Sequence, residues 1–310
     1  MIDNLLYLIS GHHRRIRHLT FDELSELYMS MMLRTLAISI AGIFIPIYLY
    51  KQGESIPMVF LFYVVFFGAF TLAVFPVAHL IARFGPKRII VFSFLMQSLA
   101  LAGLIYMSKV PFLLSAVLLG LSQCLFFLPM HIDFSKVKHR SRAGKELSWY
   151  FISERLGAVA GPLVGGLLAY FYDIKYTLLA SIVVLVIASF MLIASKETMK
   201  THQKLNFRGF KIREIKRDLI TYSAFTIDGV SATILWSFFI GVVVFRENPY
   251  ITIGSATSIS IIVSIVVTKM IGKLVDNKKG RMLLRYNASI NSIGYLVRPF
   301  VTNYAGVVGM

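Results

Sequence analysis

The chain has 310 residues, of which 57% are hydrophobic and 15% charged, with one cysteine and a formal net charge of +17. A soluble domain carries roughly 25% charged residues, and disorder needs low hydrophobicity, so both classes are excluded at a mean hydropathy of +0.72. Cys124 alone excludes an internal disulfide and any multi-cysteine metal site. What remains is an all-α polytopic membrane protein.

The N-terminal segment, 1–27, holds Arg14, Arg15 and Arg17 beside His12 and His13, interleaved with Leu19, Phe21 and Leu24. Residues 11–27 are read as a cytoplasmic interfacial helix, with a solvated loop as the alternative. No cleavable signal peptide is evident, because Leu5–Ile9 is too short for an apolar core and its positive charges follow rather than precede it.

Nine helices are then expected. Five windows lack Asp, Glu, Lys and Arg: 55–82, 89–108, 110–132, 176–195 and 248–268. They mark helices 2, 3, 4, 6 and 8, each long enough to cross a hydrocarbon core of about 30 Å. Four more apolar runs contain charge: helix 1 near 28–50 (Arg34), helix 5 near 147–171 (Glu154, Arg155), helix 7 near 219–245 (Asp228) and helix 9 near 283–303 (Arg298).

The basic residues sort by gap. Of the 32 Lys and Arg, 25 fall in the N-terminal segment and in the gaps after helices 2, 4, 6 and 8; four fall in the other gaps and three within helices. Lys and Arg accumulate in cytoplasmic loops. The N-terminus is therefore expected in the cytoplasm. A plasma (inner) membrane is the expected location, although topology alone does not identify the membrane. The same interleaving removes nucleic acid as the reason for the positive charge.

A repeat is visible at an offset of 194 residues. It lays the gap after helix 2 (Ala78–Arg88) on the gap after helix 8 (Gly272–Arg281), Tyr28 on Tyr222, Arg34 on Asp228 and Gln97 on Asn291. A six-helix unit repeated gives an N-terminal half at 28–194, a basic linker at 195–218 and three helices of a second half at 219–310. On this pattern helices 10, 11 and 12 are missing, and the chain is expected to be cut short after Met310.

With these residues in view the sequence resembles the major facilitator superfamily. Its loop signature after helix 2 has the form Gly-x-x-x-Asp-Arg-x-Gly-Arg-Lys. Arg83, Gly85, Lys87 and Arg88 fit it, while Ala78 and Ala82 replace the Gly and the Asp. The loop after helix 8 keeps Gly272, Asp276, Gly280 and Arg281. Helix 5 carries Gly157, Gly161, Pro162, Gly165 and Gly166, similar to the core of the superfamily's antiporter motif with Ser148 in place of its first Gly. Helix 4 lacks the Arg that the family's drug–proton antiporters carry. The resemblance covers residues 28–310. It implies a bundle of twelve helices, nine of them present, with helices 1, 4, 7 and 10 lining a central cavity and the two loops acting as gates.

The chemistry available is that of a transporter rather than an enzyme. No Gly-Lys-Ser/Thr phosphate loop exists, and His131-Ile-Asp133 is read as polar residues at the end of helix 4 rather than a catalytic site. No cofactor is expected. A charge at a helix centre costs about 2.5–3.5 kcal/mol on insertion scales, so buried charges should face a cavity or a partner. Arg34 and Asp228 share a depth and the repeat position, and are expected to form an ion pair made and broken between access states; the alternative is a static pair. On that expectation, exchanging the two residues restores what either single change loses. Glu154 is the candidate proton carrier, with a salt bridge to a residue such as Arg83 as the alternative. Gln123, Phe127 and His131 recur every four positions on helix 4, and Gln123, His131 and Trp236 are candidate cavity-lining residues, with ordinary packing as the alternative for Phe127 and Trp236. Arg298 is expected to snorkel outward at the end of helix 9. Gly157, Gly161 and Gly165 should admit close helix approach, and Pro162 should bend helix 5.

The function expected is a secondary transporter moving a small molecule by alternating access as proton-coupled efflux, with protons and membrane lipids as its other partners. An uptake symporter or uniporter on the same fold is the first alternative. A transport-inactive scaffold or truncated remnant is the alternative of another class.

Overall fold

The structure is a computed structural model describing residues 23–137, 143–193, 212–245, 247–274 and 280–309. Residues 11–22 of the interfacial helix expected at 11–27, the first part of the basic linker and Asp276 lie outside these residues, while 23–27 form the start of helix 1. Among the described residues all regular structure is helical.

Helix 1 runs as Glu23–Ala41, a 3-10 turn Gly42–Phe44 and Ile45–Lys51. Helices 2 to 6 are Ile56–Phe84, Pro86–Ile105, Phe112–Val137, Ala143–Phe171 and Ile174–Ile193. Helix 7 begins at Ile212, helix 8 is Pro249–Leu274 and helix 9 is Gly280–Val297, with a short helix Tyr304–Gly309 after it. Helices 1, 5 and 7 start earlier than their apolar runs suggest. An apolar run marks only the hydrocarbon-spanning part, and the helix continues through a polar turn at the interface. Helices 1 to 7 are long and apolar enough to cross a membrane, and helix 8 contributes a shorter apolar stretch, Pro249–Ile265.

Local chemistry sets the corners. Gly85 takes φ +88° and closes helix 2 with its N–H on the Ile81 carbonyl at 2.8 Å. Pro86 follows at the first position of helix 3, where its missing N–H costs nothing. Between helices 5 and 6 the Asp173 carboxylate accepts the Lys175 N–H at 2.8 Å and caps the new helix.

Helix 1 is the spine. It packs on helices 5 and 6, helix 3 on helices 4 and 6, and helix 8 on helix 5. Leu27, Met31, Phe44, Tyr48, Phe94, Leu101 and Phe126 are buried together in the main core. The opposite faces are apolar and open: Leu72 is 79% exposed and Phe190 69%. In water such faces would drive association; in a bilayer they meet acyl chains.

Helix 7 is irregular. Two π-helical stretches, Ser231–Leu235 and Ile240–Val244, flank one α-turn, Trp236–Phe239. Wide turns of this kind are rare and concentrate at functional sites.

Candidate functional site: a cavity between two groups of helices

Helices 1–6 and helices 7–9 enclose a cavity of about 980 Å³. Phe62, Tyr63, Phe66 and Phe127 form an aromatic wall, with Gln97 and Gln123 beside it and Trp236 and Arg298 opposite. Among the described residues Arg298 is the charged side chain on that wall.

At the end remote from the N-terminal segment, the distal end, aromatic side chains of the two groups of helices meet. Phe238 of helix 7 stands edge-on to Tyr50 (ring centroids 5.7 Å apart) and Phe60 (5.6 Å). Phe44 and Tyr250 meet edge-on at 5.8 Å, and Lys51 lies 4.8 Å above the Tyr250 ring. Gly241 lets helix 7 close on helix 1, since a Cβ there would sit 2.5 Å from Ile47 Cδ1.

Arg34 is 1% exposed. It donates from Nη2 to Gln123 Oε1. Its guanidinium carbon lies 4.0 Å from the Phe126 ring centroid and 4.9 Å from that of Phe127. Aromatic faces and one amide thus take the place of water for this cation. Nε and Nη1 have no hydrogen-bond partner among the described residues. Asp228 accepts Tyr295 O–H at 2.5 Å and Asn291 N–H at 3.2 Å.

In this structure the Arg34–Asp228 pair, expected to be made and broken between access states, is not formed. Arg34 and Asp228 each bond within their own group of helices, and Lys87 pairs with Glu26 at 2.8 Å. Side-chain length accounts for these partners. A long Arg side chain reaches from helix 1 to helix 4, whereas the short Asp reaches only the neighbouring helix 9.

Gln123 and Trp236 lie on the cavity wall and His131 does not. The latter is exposed and stacks on Phe127 with centroids 6.1 Å apart, beyond the cavity's edge. A spacing of four put these residues on one face, but the wall covers only part of that face. Arg298 also departs from expectation. Instead of snorkelling, its guanidinium carbon lies 4.4 Å from the Tyr295 ring and 5.3 Å from that of Trp236. Glu154 is half-buried on helix 5, off the wall, within electrostatic range of Arg34 and Arg155. Arg83, the suggested alternative partner, instead lies 5.3 Å over the Phe84 ring.

The signature loop is built around Gly85. Arg88 is exposed, whereas Lys87 is buried and bound to Glu26 at the start of helix 1. In the second loop Gly272 lies within helix 8, Gly280 opens helix 9 and Arg281 follows it.

The helix 5 glycines divide between two neighbours. A Cβ on Gly157 would lie 2.3 Å from the Met32 carbonyl oxygen, one on Gly161 2.3 Å from Ser39 Cβ, and one on Gly165 2.0 Å from the Ile40 carbonyl oxygen. All three face helix 1. Gly166 faces helix 8, 2.7 Å from the Tyr250 carbonyl oxygen by the same measure. Gly254 answers from helix 8, where a Cβ would lie 2.3 Å from the Pro162 carbonyl oxygen.

Sequence reasoning did not single out Glu26, Phe238, Gly254 or Ser258. The Gly254/Ser258 spacing of four in a run rich in Ser and Thr was the available signal for a packed, polar helix face.

A family model described as Major Facilitator Superfamily matches residues 27–309. Two curated relatives, each named proton-coupled antiporter flippase LtaA and coming from two strains of Staphylococcus epidermidis, are 29% identical over 114 residues. That stretch covers 36% of this chain and 28% of each relative. Among solved structures, the in meso crystal structure of the POT family transporter PepTSo aligns with a TM-score of 0.46 and 12% identity, over 77% of this chain and 51% of that one. The chain thus spans about half of that transporter, and its match covers under a third of the curated relatives.

Proposed function

The chain belongs to the Major Facilitator Superfamily, a family of transporters rather than enzymes, and on that premise we propose that it exports an amphipathic small molecule by alternating access, driven by proton entry. The observation that carries this reading is the cavity of about 980 Å³ between two groups of helices, with Phe238 edge-on to Tyr50 and Phe60 at the distal end, a contact that would serve as the seal. Alternating access needs such a space and such a seal. Its aromatic wall beside a few amides and hydroxyls suits a molecule with a large apolar part. The curated relatives' names, a proton-coupled antiporter flippase, favour a lipid-type cargo and proton exchange.

Residues 28–194 and 219–310 are assigned to the two halves, joined by the linker at 195–218. The excess of basic residues supports a cytoplasmic N-terminal segment; in a plasma membrane the distal end then faces outward. Glu154 is assigned as proton carrier: a membrane-embedded carboxyl whose charge bears on Arg34 can pass its state to the cavity wall through Gln123. Arg34 is assigned to substrate binding through Gln123, and the two loops to gating at the cytoplasmic end.

The test is reconstitution in liposomes carrying a fluorescent short-chain lipid and an internal pH dye. Movement of the lipid between leaflets that dissipates an imposed pH gradient supports the reading. In Glu154→Gln the gradient should persist while lipid exchange continues. Lipid exchange absent from the wild type, or a proton flux unchanged in Glu154→Gln, counts against export or against the carrier respectively.

A further inference from the structure

Pro162 lacks an N–H, so helix 5 loses one rung of its backbone ladder there. At the very next rung, helix 8 supplies polar contacts of its own. The Ser258 hydroxyl accepts the Leu163 N–H at 3.1 Å and donates to the Val159 carbonyl at 2.8 Å. Leu163 and Val159 are the i and i−4 partners of the next rung. A single side chain therefore stands at both ends of a backbone hydrogen bond of another helix. Ser258 is 4% exposed, and water is not available to replace it.

This arrangement requires close approach, and the glycines provide it. Gly254, one turn before Ser258, lies under the Pro162 carbonyl, and a Cβ on Gly166 would sit 3.3 Å from the Gly254 Cα. A hydroxyl that must satisfy a donor and an acceptor at once tolerates little sliding. Other buried hydroxyls bond backbone within helices 1–6, as Ser181 does with Ala37 at 2.6 Å and Thr177 with Gly165 at 3.0 Å. Ser258 joins helices 7–9 to helices 1–6. The repeat does not duplicate it, because the position 194 residues earlier is Val64, which is 66% exposed and has no hydroxyl.

We propose that Ser258 is a positioning residue for the transport cycle: its double hydrogen bond to the helix 5 backbone at Pro162 latches the two halves in the state closed at the distal end, and is broken when that end opens. The inference rests on the alternating-access reading. The latch is one-sided and acts through the backbone, so it carries no requirement for the cargo's chemistry.

The experiment measures the halves directly. In the Cys124→Ser background, spin labels are placed at Tyr172→Cys and Glu247→Cys, exposed positions at the distal ends of the two halves, and electron–electron distances are recorded in lipid nanodiscs at several pH values. The wild type should show a dominant short distance and a minor long one. Ser258→Ala should raise the long-to-short ratio by roughly fivefold or more, the scale expected for losing an interhelical pair of hydrogen bonds. Ser258→Thr, which keeps the hydroxyl, should return most of it. A ratio unchanged in Ser258→Ala, or shifted equally by Ala and Thr, overturns the latch and leaves alternating access standing. A single invariant distance in the wild type at every pH removes alternating access and the latch together. Where Ser258→Ala does not fold, Ser258→Cys, with its weak S–H donor, gives the same comparison at smaller amplitude.

Discussion

The two positions that the 194-residue offset pairs are treated in opposite ways. At the helix 1 position, Arg34 is sealed under two phenylalanine rings and one amide. At the matching position of helix 7, Asp228 is half-buried and held by a tyrosine and an asparagine. The second unit bonds the repeat-related pair Asp228–Asn291, whereas in the first unit Arg34 turns away from Gln97 toward Gln123 and leaves Gln97 Oε1 without a partner among the described residues. A repeat thus preserves where a polar group is needed without preserving how it is satisfied. Side-chain length decides the partner: a guanidinium reaches across to a third helix, a carboxylate does not.

The largest effect should come from Arg34→Ala. It removes a buried cation, its two aromatic contacts and the bond that orients Gln123, for a combined loss of roughly 2–4 kcal/mol. Transport in the liposome assay should fall by about two orders of magnitude, and Arg34→Lys should not rescue it, because a point charge cannot both donate to Gln123 and stack on the rings. The double exchange Arg34→Asp with Asp228→Arg comes next. Since neither residue bonds the other in this structure, the exchange should remain as inactive as Arg34→Asp alone at normal expression; recovery would show that the pair forms in the other access state. The smallest effect is expected for Asp228→Asn. The amide keeps an acceptor for Tyr295, so the melting temperature should change by no more than the equivalent of about 1 kcal/mol. A larger drop would show that the second unit depends on its charge as strongly as the first depends on Arg34.

Much of the fold was legible because a bilayer imposes one-dimensional rules. Charge-free windows of about 20 residues mark helices, and the glycine spacing on helix 5 announced a close-packed face. That the face is shared between helices 1 and 8 was not legible, since spacing gives a stripe and not its neighbour. The candidate site was less legible for the same reason. Arg34 and Gln123 are 89 residues apart in sequence, and only the packing of helices 1 and 4 brings them together. Helical periodicity correctly grouped Gln123 with His131, but the cavity ends between them. Ser258 was hidden further, because its partners are backbone atoms, which every residue possesses and no sequence pattern distinguishes.

Helix 7 carries the seal on a short stretch of ordinary helix held between two wide turns, and this has a mechanical meaning. A π-turn accommodates one residue more than an α-turn, so helix 7 stores slack on each side of Trp236–Phe239. Passing that spare residue from one side to the other re-aims the intervening side chains by roughly 100°, the angle one residue subtends in an α-helix. Phe238 would leave its place between Tyr50 and Phe60 without any shortening of the helix and without its ends moving. Two one-residue reserves thus flank the ring that meets Tyr50 and Phe60, on the one helix of the described chain that has them.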